Sequence, residues 1–151
     1  MPTAARTRVI ALDVGDARTG VAVSDELGLT AQPLVSICKR GKKAVGEVLS
    51  LLDQYRPGII ILGLPLELSG EKGEQAQKVE AFAALLERRL RSNVHYQEIE
   101  LVFYDERLTT KEAAKVIAGS KLKDEKRSAA LDRVAAALIL DGFLQKRNRQ
   151  V

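Results

Sequence analysis

The feature that most limits the fold is a change of pattern near position 40. Before it, aliphatic and β-branched runs are joined by links too short to hold a helix. Arg8 to Val14 is the first run and stops at Gly15-Asp16. Gly20 to Ser24 is the second, and the brief Gly15 to Thr19 link makes a hairpin the natural connection. Leu34 to Cys38, following Pro33, is the third. Three such strands in succession form an antiparallel meander. Beyond position 40 the period becomes helical. Val45, Val48, Leu49, Leu51, Leu52 and Tyr55 share a helical spacing that Pro57-Gly58 ends. Ile59 to Leu62 is wholly apolar, as a strand covered on both faces is. Glu71 to Leu90 reads as a long helix with Val79, Phe82, Ala83, Leu86 and Leu90 on one stripe, and Leu101 to Tyr104 as a strand. Thr109-Thr110-Lys111-Glu112 has the pattern of a capping box, so a helix starts at Thr109 and ends near Gly119. Ser128 to Leu144 is a last helix, apolar almost all round and expected to be well buried. The order β-β-β-α-β-α-β-α-α predicts an α/β fold: a mixed five-stranded sheet with helices on its faces.

At 151 residues and 46% hydrophobic content, the chain is expected to form one domain with a true core. Residues 1–7 read as an extension, 8–146 as the domain and 147–151 as a basic tail. One cysteine, Cys38, and one histidine, His95, exclude an internal disulfide and a zinc site of the usual nitrogen and sulfur type. The start of the chain has no apolar leader segment, and no apolar run approaches a membrane span. A soluble, cytoplasmic protein is expected. The net charge of +4 is a mild bias towards polyanions.

Three carboxylates sit in apolar settings, where a charge is costly unless it is paired or bound to metal. Asp13 ends the first strand, and alternation puts it on one face with Ala11 and Val9. Its plain alternative is a strand-end residue that bonds turn amides. Gly15 and Gly20 nearby permit close backbone approach to a ligand, or simply make turns. Glu106 follows the Leu101 to Tyr104 strand, at the end where such sheets commonly place ligands. Asp105 is its rival, and alternation points the two in opposite directions; Asp105 is the better loop residue. Asp132 lies on a helix stripe that continues through Ala135, Ala136, Ile139 and Phe143, which looks inward. A helix-dipole role would need an exposed residue instead. Together, Asp13, Glu106 and Asp132 make a cage for two divalent ions roughly 4 Å apart, suited to in-line attack on a phosphodiester.

Basic groups are clustered at Lys39 to Lys43, Arg88 to Arg91, Lys121 to Arg127 and Lys146 to Arg149. Solvated faces are the ordinary reading of such runs. Lys121, Lys123, Lys126 and Arg127 differ because they lead into the Asp132 helix and could bring phosphates to the cage. Arg18 follows Asp13 and suits either phosphate or a cage carboxylate. Arg107 adjoins Glu106. With 4% aromatic residues, base stacking does not dominate binding; backbone and shape do.

At these residues the chain resembles the YqgF/RuvX family, described as Holliday-junction resolvases and as pre-16S rRNA nucleases. The resemblance spans about Arg8 to Lys146. It rests on Leu12-Asp13-Val14-Gly15 with Arg18, on Gly20-Val21-Ala22-Val23-Ser24-Asp25, on Gly28-Leu29-Thr30-Ala31-Gln32-Pro33-Leu34 and on Gly63-Leu64-Pro65. Gly70, Gly73 and Gln75 open the long helix as in that family. Asp105-Glu106-Arg107-Leu108-Thr109-Thr110 and the run from Asp132 to Leu140 complete it. The resemblance implies a ribonuclease H-like fold, with Asp13, Glu106 and Asp132 as the acidic set for Mg²⁺ or Mn²⁺. Asp16 stands where relatives more often carry a small or hydroxyl residue, which adds negative charge beside the site. Two substrates follow: the 5′ end of precursor 16S rRNA, with pre-ribosomal particles as partners, or a four-way DNA junction cut by a homodimer. Two other classes compete. Asp13-Val14-Gly15 followed by Gly20 to Val23 also resembles the phosphate-binding hairpin of actin-like phosphotransferases, though those need two such domains. A non-catalytic nucleic-acid binding module is the other.

Overall fold

In the computed structural model, residues 8–67, 69–105 and 124–149 are described, with side chains in the last stretch from position 129 onward. Strands β1 (Val9–Val14), β2 (Thr19–Ser24) and β3 (Ala31–Ile37) come first. Helix α1 (Gly41–Tyr55), strand β4 (Ile59–Leu64), helix α2 (Glu74–Arg91) and strand β5 (Glu100–Asp105) follow, and helix α3 (Asp124–Arg149) ends the described chain. The sheet order is β3-β2-β1-β4-β5. β1, β2 and β3 pair antiparallel, while β1 pairs with β4 and β4 with β5 in parallel. The mixed five-stranded sheet matches the expectation. The helix expected from Thr109 to Gly119 lies outside the described residues.

Each strand end has a local cause. Gly15 donates its amide to the Arg18 carbonyl at 2.8 Å, which closes the β1–β2 hairpin. Asp25 closes the next turn: its carboxylate accepts the amides of Leu29 at 2.7 Å and Thr30 at 2.8 Å. These donors, Thr30 first, hold the Asp25 carboxyl below its ordinary value. Gly28 takes a positive φ of 68° in that turn, where a β-carbon would be strained. Ser24 is buried and ties the two strands laterally, its hydroxyl accepting the Val9 amide at 2.8 Å.

β3 begins at Ala31, earlier than the sequence pattern indicates, and runs through Pro33. Proline is tolerated because β3 is an edge strand and the register slips opposite Val21 and Ala22. α3 is longer at both ends than its apolar stretch. Its buried positions are Ala135, Ala136, Ile139, Leu140 and Leu144, with half-buried residues between them. Through 129–144 every side chain is buried or half-buried, as expected of a well-buried apolar helix; α3 packs on one face of the sheet, and exposed side chains begin at Gln145.

Period-two alternation divides the core. Ile10, Leu12, Val21, Val23, Ile60 and Leu62 point to α1 and α2, where Val48, Leu52, Val79, Leu86 and Leu90 meet them. Val9, Ala11, Ala22 and Ile61 point to α3 and meet Ala136, Ile139, Leu140 and Leu144. Each fully buried aliphatic side chain is worth roughly 1.5–3 kcal/mol, so the larger first cluster carries most of the stability.

Candidate active site

Asp13 is 8% exposed at the carboxyl end of β1. It follows Val9 and Ala11 in alternation, so it faces α3, as the sequence pattern indicates. Its cross-strand partner is Gly20 of β2. Directly paired residues project to the same side of a sheet, and at Gly20 that side is filled by the backbone of Asp132. A β-carbon on Gly20 would lie 1.9 Å from the Asp132 carbonyl oxygen. Gly20 therefore admits protein backbone, not a ligand. It seats α3 on the sheet at the residue that carries the second carboxylate.

The Asp132 side chain meets Arg18, whose Nε donates to its Oδ2 at 2.8 Å. Both side chains are about one quarter exposed, 29% for Arg18 and 24% for Asp132. Partial exposure leaves the pair open to solvent and to a ligand. Arg18 thus pairs with a carboxylate, that of Asp132. Ser36 of β3 donates its hydroxyl to the Ala129 carbonyl at 2.6 Å and pins α3 one turn before Asp132. On the other side of the sheet, Gln75 at the start of α2 donates to the Val14 carbonyl at 3.2 Å and steadies the strand end next to Asp13. Neither support was legible as such, because each joins residues more than 60 positions apart.

Among the described residues, no amide or cation is hydrogen-bonded to the Asp13 carboxylate. The turn-amide role weighed for it is thereby removed. A nearly buried carboxylate without donors is costly, and a bound cation would offset that cost. Oxygen-only donors such as Asp13 and Asp132 fit a hard ion of the Mg²⁺ or Mn²⁺ type.

Asp105 ends β5 opposite Leu64, on the face that points to α1 and α2. It is therefore turned away from Asp13. Glu106, Arg107, Lys121 and Lys123 lie outside the described residues. Lys126 and Arg127 fall in the first turn of α3, and their side chains are outside the described ones. Among the described residues, no three acidic, histidine or cysteine side chains gather as a metal site; Glu106 of the expected three-carboxylate cage lies outside them.

Asp16 does not crowd the site. It turns to α2, where Lys78 bonds it at 2.8 Å. That ammonium holds the Asp16 carboxyl below its ordinary value. The extra negative charge is spent on Lys78 rather than on the Asp13 face. Among the described residues, no helix is long and apolar enough to cross a membrane.

The chain as a whole is similar to known proteins. A family model described as RuvX, Holliday junction resolvase, matches residues 7–146. A protein of Koribacter versatilis named "Putative pre-16S rRNA nuclease" is 40% identical over 97% of this chain and 92% of its own length. One of the same name from Syntrophus aciditrophicus is 41% identical over 91% of this chain and 87% of its own. Among solved structures, Thermus thermophilus RuvC in complex with a Holliday junction substrate superposes with a TM-score of 0.58 at 18% identity, covering 96% of this chain and 98% of that one. RuvC from the same organism in a second structure gives 0.56 at 16% identity, covering 93% and 96%. The fold is thus the ribonuclease H-like fold of those structures.

Proposed function

The chain belongs to the RuvX family, and from that premise we propose that it is a metal-dependent endonuclease acting on structured nucleic acid, with the 5′ end of precursor 16S rRNA as its substrate. The observation that carries this reading is the Gly20 seat. It brings the Asp132 backbone against the β2 residue paired with Asp13 of β1, so two carboxylates 119 positions apart share one face of the sheet at the carboxyl end of β1. In open α/β sheets that end is where ligands bind. The names of the relatives support the RNA substrate.

Asp13 and Asp132 would hold a divalent ion. The third ligand we assign to Glu106, since its rival Asp105 faces α1 and α2. Such ions, when bound, polarise the phosphoryl oxygen and lower the pKa of water. The chain's own residues do the rest. Rigid seating of α3 on Gly20 fixes the spacing of the two carboxylates. Arg18 holds Asp132 in place and, when a phosphate arrives, offers its remaining guanidinium donors to it. Arg107, Lys121, Lys123, Lys126 and Arg127 are proposed to draw the phosphate backbone in. The setting is cytoplasmic, within pre-ribosomal particles.

A second substrate is favoured by the superposition on RuvC: a four-way DNA junction. Symmetric cutting of a junction needs two sites, hence a homodimer.

One panel tests both. Wild type and Asp132→Asn are compared with Mg²⁺ and Mn²⁺ on a 5′-extended 16S precursor, a four-way DNA junction and linear duplex DNA. Metal-dependent cutting of the precursor by wild type alone is expected. Faster cutting of the junction would transfer the function to recombination. Equal cutting by the variant would remove Asp132 from the site. Binding without cutting in both proteins would point to the non-catalytic module.

A further inference from the structure

On the opposite face of the sheet, two depressions lie side by side between α1 and α2. The first, about 450 Å³, opens at Val14, Gly15 and Asp16, directly after Asp13. Its rim carries Lys39, Arg40 and Lys78 over an apolar floor that includes Phe82 and Leu85. The second, about 340 Å³, is lined by Lys42, Arg88 and Arg89 with Val45 and Leu85. Leu85 is common to both, so they form one groove. Six cations line it against one carboxylate, Asp16, in a chain whose whole excess is +4. Positive charge is thus concentrated here and diluted elsewhere.

Each run taken singly is an ordinary solvated face. The fold removes that reading by placing Lys42 beside Arg88 and Arg89, from helices that are far apart in sequence. Lys39 pairs with Glu47 and Lys78 with Asp16. Among the described residues, Arg40, Lys42, Arg88 and Arg89 have no carboxylate within ion-pair distance. Clustered cations repel one another and destabilise the fold slightly, so their concentration along a groove calls for a polyanion. The groove also starts where the catalytic strand ends.

We infer that the α1–α2 groove is a second nucleic-acid contact: a substrate arm leaving the Asp13 face crosses the Gly15 turn and lays its phosphates along Lys39, Arg40 and Lys78, then Lys42, Arg88 and Arg89. This rests on the nuclease reading, because it extends the path of the same substrate. Contacts of this kind are electrostatic and indifferent to sequence, and each phosphate neutralised steepens the salt dependence of binding.

The test uses the full chain without divalent metal and the triple variant Lys42→Gln, Arg88→Gln, Arg89→Gln. All three side chains are exposed, so the variant should fold; matched thermal melts verify it. Two labelled probes are titrated across a range of salt, each made as RNA and as DNA. One carries an arm long enough to span the groove, and the other ends beside the cleavage position. For the long probe, the slope of log affinity against log salt should become shallower by about 2 to 3 in the variant. For the short probe it should not change. An unchanged slope for the long probe, with wild type binding normally, overturns the groove and leaves the nuclease reading intact. If wild type binds neither probe at low salt, the nuclease reading falls, and the groove with it. The nucleic acid showing the larger change identifies which arm the groove holds.

Discussion

The two faces of the sheet solve different problems. The face towards α1 and α2 is lined by Ile10, Leu12, Val21, Ile60 and Leu62, large side chains that hold two helices at ordinary packing distance. The face towards α3 also carries Val9 and Ile61, but at Ala11, Gly20 and Ala22 it is small, and at Gly20 the helix backbone touches the strand. Bulk on one side gives stability. Its absence on the other gives proximity, and proximity is what brings Asp132 to Gly20, the cross-strand partner of Asp13. The approach of Asp132 to the sheet thus depends on the lack of a side chain at Gly20.

The largest effect is expected at Gly20. In Gly20→Ala the new methyl must displace α3, at a cost of about 3 kcal/mol. Misplacing a reacting group by about 1 Å costs roughly a hundredfold in rate, so cleavage should fall by at least that in whatever protein remains folded. Near-normal cleavage would show that α3 need not sit so close. Leu86→Ala tests the other face. Leu86 is fully buried, and its truncation should cost about 3 kcal/mol in chemical denaturation. Cleavage per folded molecule should stay within about twofold. A large loss of rate there would mean that the faces are not separable.

Asp25→Ala should have a smaller effect, about 0.5–1 kcal/mol, since its two amide bonds are exposed to solvent. Its pH dependence has a definite sign. The folded carboxyl sits below its ordinary value of 3.8. The stabilisation is therefore fully present well above pH 3.8 and is lost as pH falls through the lower folded value. Melting curves of wild type and variant should converge in acid and stay apart at neutral pH. Gln75→Ala should matter least, roughly 0.5 kcal/mol with a few-fold loss of cleavage, because it removes one partly buried bond to the Val14 carbonyl. An effect as large as that of Gly20→Ala would mean that Asp13 is positioned chiefly from the α2 side.

Local pattern alone determined the strands, the described helices, the hairpin at Gly15 and the face on which Asp13 stands. Those depend on periods of two and 3.6 residues and on turn chemistry, which neighbours in sequence specify. Pattern was weaker at the ends of elements. The polar ends of α3 continue a helix without any apolar period to mark it, and Pro33 lies in a strand only because β3 is an edge. Tertiary structure alone decided that Gly20 seats a helix, that Arg18 pairs with a carboxylate 114 residues away, and that Asp16 turns to Lys78. It also joined Lys42 to Arg88 and Arg89 along one groove. Such contacts link positions that no local period relates. They exist because packing small residues against one face and large ones against the other leaves each helix only one place to lie.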